Sequence, residues 1–150
     1  MKTAGYIIKT PWDSKVFGID TYEIKSVSKE VLEKILNIKG HFTVKVDPLS
    51  SKKLLYEYGF YYCDTLIEPY CTADDFVYFK HDKTSISTNV NVDNLISISH
   101  GAFYGRFHKD FNIDKERADL RYDQWLKELY NAGNVFGLIF DGELAGSIGF

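Results

Sequence analysis

The stretch 135–150 constrains this chain more than any other. Val135-Phe136-Gly137-Leu138-Ile139-Phe140 is a continuous apolar run. Asp141-Gly142 follows, and this dipeptide suits the two-residue turn whose central positions both take positive φ. Glu143-Leu144-Ala145-Gly146-Ser147-Ile148-Gly149-Phe150 then reads as the return strand. The expectation is an antiparallel hairpin that closes the chain on an apolar strand. Domain termini are usually exposed and loosely held. The expectation is therefore that the chain is the front part of something longer, or that a partner completes it.

A length of 150 residues suits one ordinary domain or two small ones. Hydrophobic residues at 45% and charged residues at 26% place the chain among folded proteins. Aromatics at 16% predict a core or cleft rich in rings. A net charge of −3 argues against nucleic-acid binding, which calls for a basic patch or stripe. No run reaches the length of a membrane span, and Met1–Gly5 shows no apolar leader core. Cys63 and Cys71 lie outside any Cys-x-x-Cys pair and are too few for a disulfide framework, so a reducing, cytoplasmic setting is expected.

The first region alternates strand and helix. Tyr6-Ile7-Ile8 is a short apolar piece interrupted at Pro11. Asp20 to Val27 reads as a strand. Ser28 caps a helix bearing Val31, Leu32, Ile35, Leu36 and Ile38, with Gly40 as its stop. His41 to Val46 alternates as a strand. Ser50 or Ser51 caps a short helix with Leu54, Leu55 and Tyr58, ended by Gly59. Phe60 to Ile67 and Phe76 to Phe79 read as further strands. The polar run His81 to Asn91 reads as a linker. Beyond it, Asn91 or Asp93 caps a helix with Leu95, Ile96, Ser99, Ala102 and Phe103 inward. Phe107, Phe111 and Ile113 fall in an irregular loop. Ala118, Tyr122, Trp125, Leu126 and Leu129 form one stripe of a strong helix ended by Gly133.

Few motifs carry chemistry. No nucleotide-binding glycine loop occurs. His41, His81, His100 and His108 lack metal-ligand spacing, so no metal site is expected. No Gly-x-Ser-x-Gly elbow is present, and Cys63 in a strand reads as a small buried thiol. In Pro11-Trp12-Asp13-Ser14-Lys15-Val16-Phe17-Gly18, Trp12 and Phe17 anchor a loop, Asp13 or Ser14 makes a local turn bond, and Gly18 takes positive φ. A pocket wall is the other reading of that cluster. The best polar constellation is Arg106-Phe107-His108-Lys109-Asp110 ahead of Tyr122 and Trp125. It either lines a site or leaves Arg106 paired with Asp110 or Asp119 on the surface, with Tyr122 and Trp125 in the core.

The order of segments is itself informative. Ser99-His100-Gly101-Ala102-Phe103 precedes Gly105-Arg106-Phe107-His108-x-Asp110, then Ala118-Asp119-x-x-Tyr122-x-x-Trp125-Leu126, then the strands Val135-Phe136-Gly137-Leu138 and Asp141 to Phe150. This order resembles the opening of a GNAT (Gcn5-related) N-acetyltransferase domain, most nearly the TDP-fucosamine acetyltransferase-type branch that acetylates amino groups of nucleotide-linked sugars. Trp12-Asp13-Ser14-x-x-Phe17-Gly18 is similar to the start of the same branch.

The resemblance implies an α/β (α+β) fold. A small degenerate α/β N-terminal region, 1–80, and a linker, 81–91, would precede the N-terminal half of a GNAT-like domain, 92–150. That half would hold the first helices and hairpin of its mixed sheet. It implies acetyl transfer from acetyl-CoA to a primary amine of a small molecule, with a proton lost from the amine and backbone donors on the oxyanion. Arg106, His108, Tyr122 and Trp125 become the acceptor-side wall, with Arg106 suited to a diphosphate. The family's Gln/Arg-x-x-Gly-x-Gly/Ala loop, which holds the acetyl-CoA pyrophosphate at a helix N-terminus, is absent from this sequence. So is the later general-acid Tyr. No catalytic residue is therefore assigned, and little activity is expected of the chain alone. Two competing expectations stand. One is a non-catalytic binding or assembly module that forms a homodimer through an exposed edge strand at 144–150. The other is an unrelated α/β domain.

Overall fold

The computed structural model describes residues 6–150, so Met1–Gly5 lies outside it. The fold is α+β, with six helices and two three-stranded sheets among the described residues. The chain divides into two compact units, Met1–Thr65 and Leu66–Phe150.

In the first unit β1 (Ile7–Lys9) pairs antiparallel with β2 (Thr21–Ile24), and β2 pairs parallel with β3 (His41–Val44). A parallel pair needs a crossover, and α2 (Lys29–Ile35) supplies it. Ser28 caps α2 as expected, its hydroxyl accepting from the Val31 amide at 3.4 Å. Val31, Leu32 and Ile35 then bury against Ile24 and against Leu55 of α3 (Lys53–Glu57). The helix stops before Leu36, which is 67% exposed. Burying a side chain such as Leu32 contributes about 2 kcal/mol.

The cluster at 11–18 is a helix, α1 (Pro11–Phe17), where a loop was expected. Pro11 sits in its first turn, where a missing N–H costs nothing. Gly18 ends it in the left-handed region at φ 70°, as the sequence predicts. Phe17 is the buried anchor, whereas Trp12 keeps about half its surface in solvent. A hydroxyl cluster ties α1 to β2: the Thr21 amide donates to Ser14 Oγ at 3.0 Å, and Thr21 Oγ1 donates to the Thr10 carbonyl at 2.8 Å.

In the second unit the expected hairpin is present as β5 (Val135–Phe140) and β6 (Glu143–Gly149). Asp141 and Gly142 both take positive φ, 53° and 86°, as that turn requires. Leu138 faces Gly146 and Ile139 faces Leu144, so Ala145 is the extra residue of a bulge. The third strand, β4 (Thr84–Ser87), pairs antiparallel with β5 and lies inside the stretch the sequence reads as a linker. The strands expected at 60–67 and 76–79 do not form: no helix or strand lies between α3 and β4. Phe60 packs against the core of the first unit, but the later apolar side chains are exposed, Ile67 at 79% and Phe79 at 83%. Composition suited them to a sheet, but a strand exists only where a ladder partner is available.

Three helices pack with this sheet or with one another. Asn91 caps α4 (Val92–Ser99), its side-chain oxygen accepting from the amides of Asp93 and Asn94. Arg106–Lys109 forms a single turn, α5, where an irregular loop was expected. Asp114 caps α6 (Lys115–Asn131) through the Arg117 amide. Leu95, Leu126 and Val135 form the buried centre. The stripe of α6 differs from expectation. Arg121 and Asp123 are buried on it, while Trp125 is 48% exposed. A hydropathy count places charged residues outward, yet both are inside, Asp123 in a hydrogen bond with His100. A large indole is rarely buried completely.

Candidate functional site

The second unit gathers its aromatic and titratable residues between the end of α4 and the start of α6. Gly101 turns the chain after α4 with φ 70°, and Gly105 opens α5. This short turn sets His108 opposite the first turns of α6. Its Nε2 meets Asp119 Oδ1 at 2.9 Å, and its side chain is only 8% exposed. The Tyr122 ring stacks on the imidazole, 5.8 Å between centroids and 8° between planes. Tyr122 also stacks on Phe103 at 4.4 Å and meets Phe107 edge-on at 5.8 Å. The imidazole is thus held in position and direction by a carboxylate and by rings. Its other nitrogen, Nδ1, is buried with no hydrogen-bond partner among the described residues.

Beside this pair lies a cleft of about 400 Å³, lined by Gly101, Tyr104, His108, Lys109, Lys115 and Asp119. Such a volume is ordinary for a small-molecule site. The wall carries two ammonium groups, one carboxylate engaged by a histidine, and one largely exposed tyrosine ring. It can therefore receive a ligand bearing both a positive and a negative group.

Of the residues the sequence singles out, His108 and Tyr122 are brought together. Arg106 is turned elsewhere, its guanidinium carbon 4.2 Å from the Phe107 ring centre, and neither Arg106 nor Trp125 lines the cleft. The sequence reading missed Asp119 as the partner of His108, and missed Tyr104 and the two lysines. Asp119 sits eleven positions beyond His108. Only the intervening turn, whose course the sequence does not spell out, makes them neighbours.

A second histidine–carboxylate pair joins α4 to α6: His100 Nδ1 lies 2.8 Å from Asp123 Oδ2. The hydrogen bond to Asp123 holds the His100 pKa above its usual 6.5, and the charges of Asp123 and Asp119 add to this.

Acetyl-CoA fits poorly to the residues present. Its pyrophosphate needs consecutive backbone amides at a helix N-terminus. Gly137, Gly146 and Gly149 instead lie within β5 and β6. There, added side chains at Gly137 and Gly149 would run into Val90 and Leu129. Gly149 serves the close approach of β6 to α6, and Gly137 that of β5 to the segment ahead of α4. Among the described residues no cluster of metal-ligating side chains occurs, and no helix is long and apolar enough to cross a membrane. No protein-family model, no curated protein and no solved structure matches the chain.

Proposed function

We propose that the second unit forms the acceptor side of a GNAT-type N-acetyltransferase, receiving the primary amine of a small molecule. The observation that carries the reading is the His108–Asp119 pair on one cleft wall, with the Tyr122 ring stacked on the imidazole. These residues come from the segments that resemble the family's opening. In this reading Asp119 attracts the ammonium form of the acceptor and accepts the proton that must leave before the nitrogen can act as a nucleophile, while His108 holds the carboxylate in place. Tyr122 keeps the imidazole in place. The amine of a nucleotide-linked amino sugar suits this wall. No step through acetyl-CoA is assigned to these residues.

Two calorimetric titrations test the reading, one with acetyl-CoA and one with a nucleoside diphosphate-linked amino sugar. Binding of the amino sugar supports the acceptor role, and added binding of acetyl-CoA extends it to the acyl donor. A folded chain that binds neither overturns it.

A second reading rests on the sheet order β4-β5-β6, which leaves β6 at an edge. Ile148 is 49% exposed there, and Phe150, just beyond the strand, 62%. An unpaired edge recruits another strand, so in this reading two copies pair along 144–150 as a binding or assembly module. Sedimentation over a wide concentration range decides it: a dimer supports the pairing, and a monomer throughout removes it.

A further inference from the structure

We propose that Phe76–Phe79 is a strap that closes over the open face of the second unit's sheet, seating Val77 and Phe79 against Leu138 and Ile148. The inference is independent of acetyl transfer. It concerns the face of the sheet, whereas the dimer reading concerns its edge.

The strand register defines that face. Residues directly opposite in an antiparallel pair point to the same side, and sides alternate along a strand. Val135 and Leu144 lie on the side packed against α4 and α6. Phe136, Leu138 and Phe140 therefore point the other way, with Ile86 opposite Leu138 and Ile148 opposite Phe136. The Phe150 ring stacks on Phe136 at 4.9 Å. Ile86, Phe140, Ile148 and Phe150 each keep between 48% and 64% of their surface in solvent. At about 200 Å² for a large apolar side chain, roughly 450 Å² of this face is open. A contiguous apolar patch of that size marks a surface that something covers.

The area decides between occupants. A stable interface takes about 800 Å² from each partner, so this face is too small to hold a second copy by itself. A tethered segment needs less, because closing costs it no translational freedom. Phe76–Phe79 is such a segment. It belongs to the same unit, lies in no helix or strand, and exposes all four side chains, Val77 and Phe79 at 83% each. Alternate residues of an extended chain share a side, so Val77 and Phe79 can be buried together. The far end of the strap is already anchored at the face. The His81 ring lies 5.8 Å from the Phe140 ring, and the Thr84 amide donates to the His81 carbonyl at 2.9 Å as the chain turns into β4. From His81 back to Phe76 an extended chain covers about 17 Å, whereas the sheet is about 10 Å across from β4 to β6. The strap therefore reaches over the face without moving a strand. Closed, it hides the face; open, it presents two apolar surfaces to a partner.

The test is NMR of the methyl-labelled chain, with a mixed sample of labelled and unlabelled chains to separate contacts within one chain from contacts between chains. The expected result is nuclear Overhauser contacts from the Val77 methyls to Leu138 and Ile148 within one chain. Contacts found only between chains assign the face to a second copy and overturn the strap, as does the absence of any contact. A variant then separates closure from mere exposure by the sign of its effect. Val77→Asp/Phe79→Asp changes exposed residues outside both cores, so the fold is kept. If the strap closes, the variant binds more of a hydrophobic dye than the parent does, because the face is uncovered. If the segment stays open in the parent, the variant binds less, because exposed apolar surface has been removed, and the inference fails.

Discussion

His108 is the residue on which the cleft turns. Its imidazole is fixed by Asp119 on one side and by the Tyr122 ring on another. In the proposed reading, removing Asp119 is expected to act on binding and removing Tyr122 on stability. Asp119→Asn keeps the shape but loses the charge, and is expected to weaken amino-sugar binding about tenfold, read by calorimetry. Tyr122→Ala deletes contacts with Phe103, Phe107 and His108, and chemical denaturation should show a loss of about 2 kcal/mol. Arg106→Ala removes an exposed cation–ring contact and is expected to cost less than about 1 kcal/mol, with amino-sugar affinity unchanged. At this scale the sequence was half legible. His108 and Tyr122 stood out by residue type beside a helix start. Asp119 did not, because its partnership depends on a turn whose path no local pattern specifies.

Between elements, the His100–Asp123 pair ties α4 to α6 and makes their docking pH-dependent. The folded pKa of His100 is raised above 6.5. Its contribution is therefore fully present below that value and is lost as pH rises through the folded pKa. The unfolding midpoint should fall across that window relative to His100→Gln, which should show a flatter profile. The hairpin offers a second test at this scale. Gly142 sits at φ 86° with open space around its Cα, so Gly142→Ala loses stability through backbone strain alone, about 1 kcal/mol by thermal unfolding.

The hairpin and the caps at Ser28 and Asn91 were legible because each rests on local backbone chemistry, whereas the Asp114 cap of α6 was not read from the sequence. The strands were less so. Thr84-Ser85-Ile86-Ser87 is polar and exposed, and becomes β4 only because β5 offers it a ladder. Phe76-Val77-Tyr78-Phe79 has the stronger strand composition and no ladder partner.

At the scale of the whole molecule, each unit has its own core, one centred on Leu32 and the other on Leu95, both fully buried. The cleft belongs entirely to the second, and it was not legible as a cleft in the sequence. Its wall is assembled from residues spread over 101–119 whose proximity exists only once α5 has turned between α4 and α6. The central claim is that this wall receives an amine through Asp119 and His108. Calorimetric titration of the chain with a nucleoside diphosphate-linked amino sugar, against its N-acetylated counterpart, tests that claim most directly. The account predicts that acetylation weakens binding about tenfold, one lost charge-assisted contact, and that Asp119→Asn abolishes the difference. Equal binding of both sugars by the parent chain would contradict it.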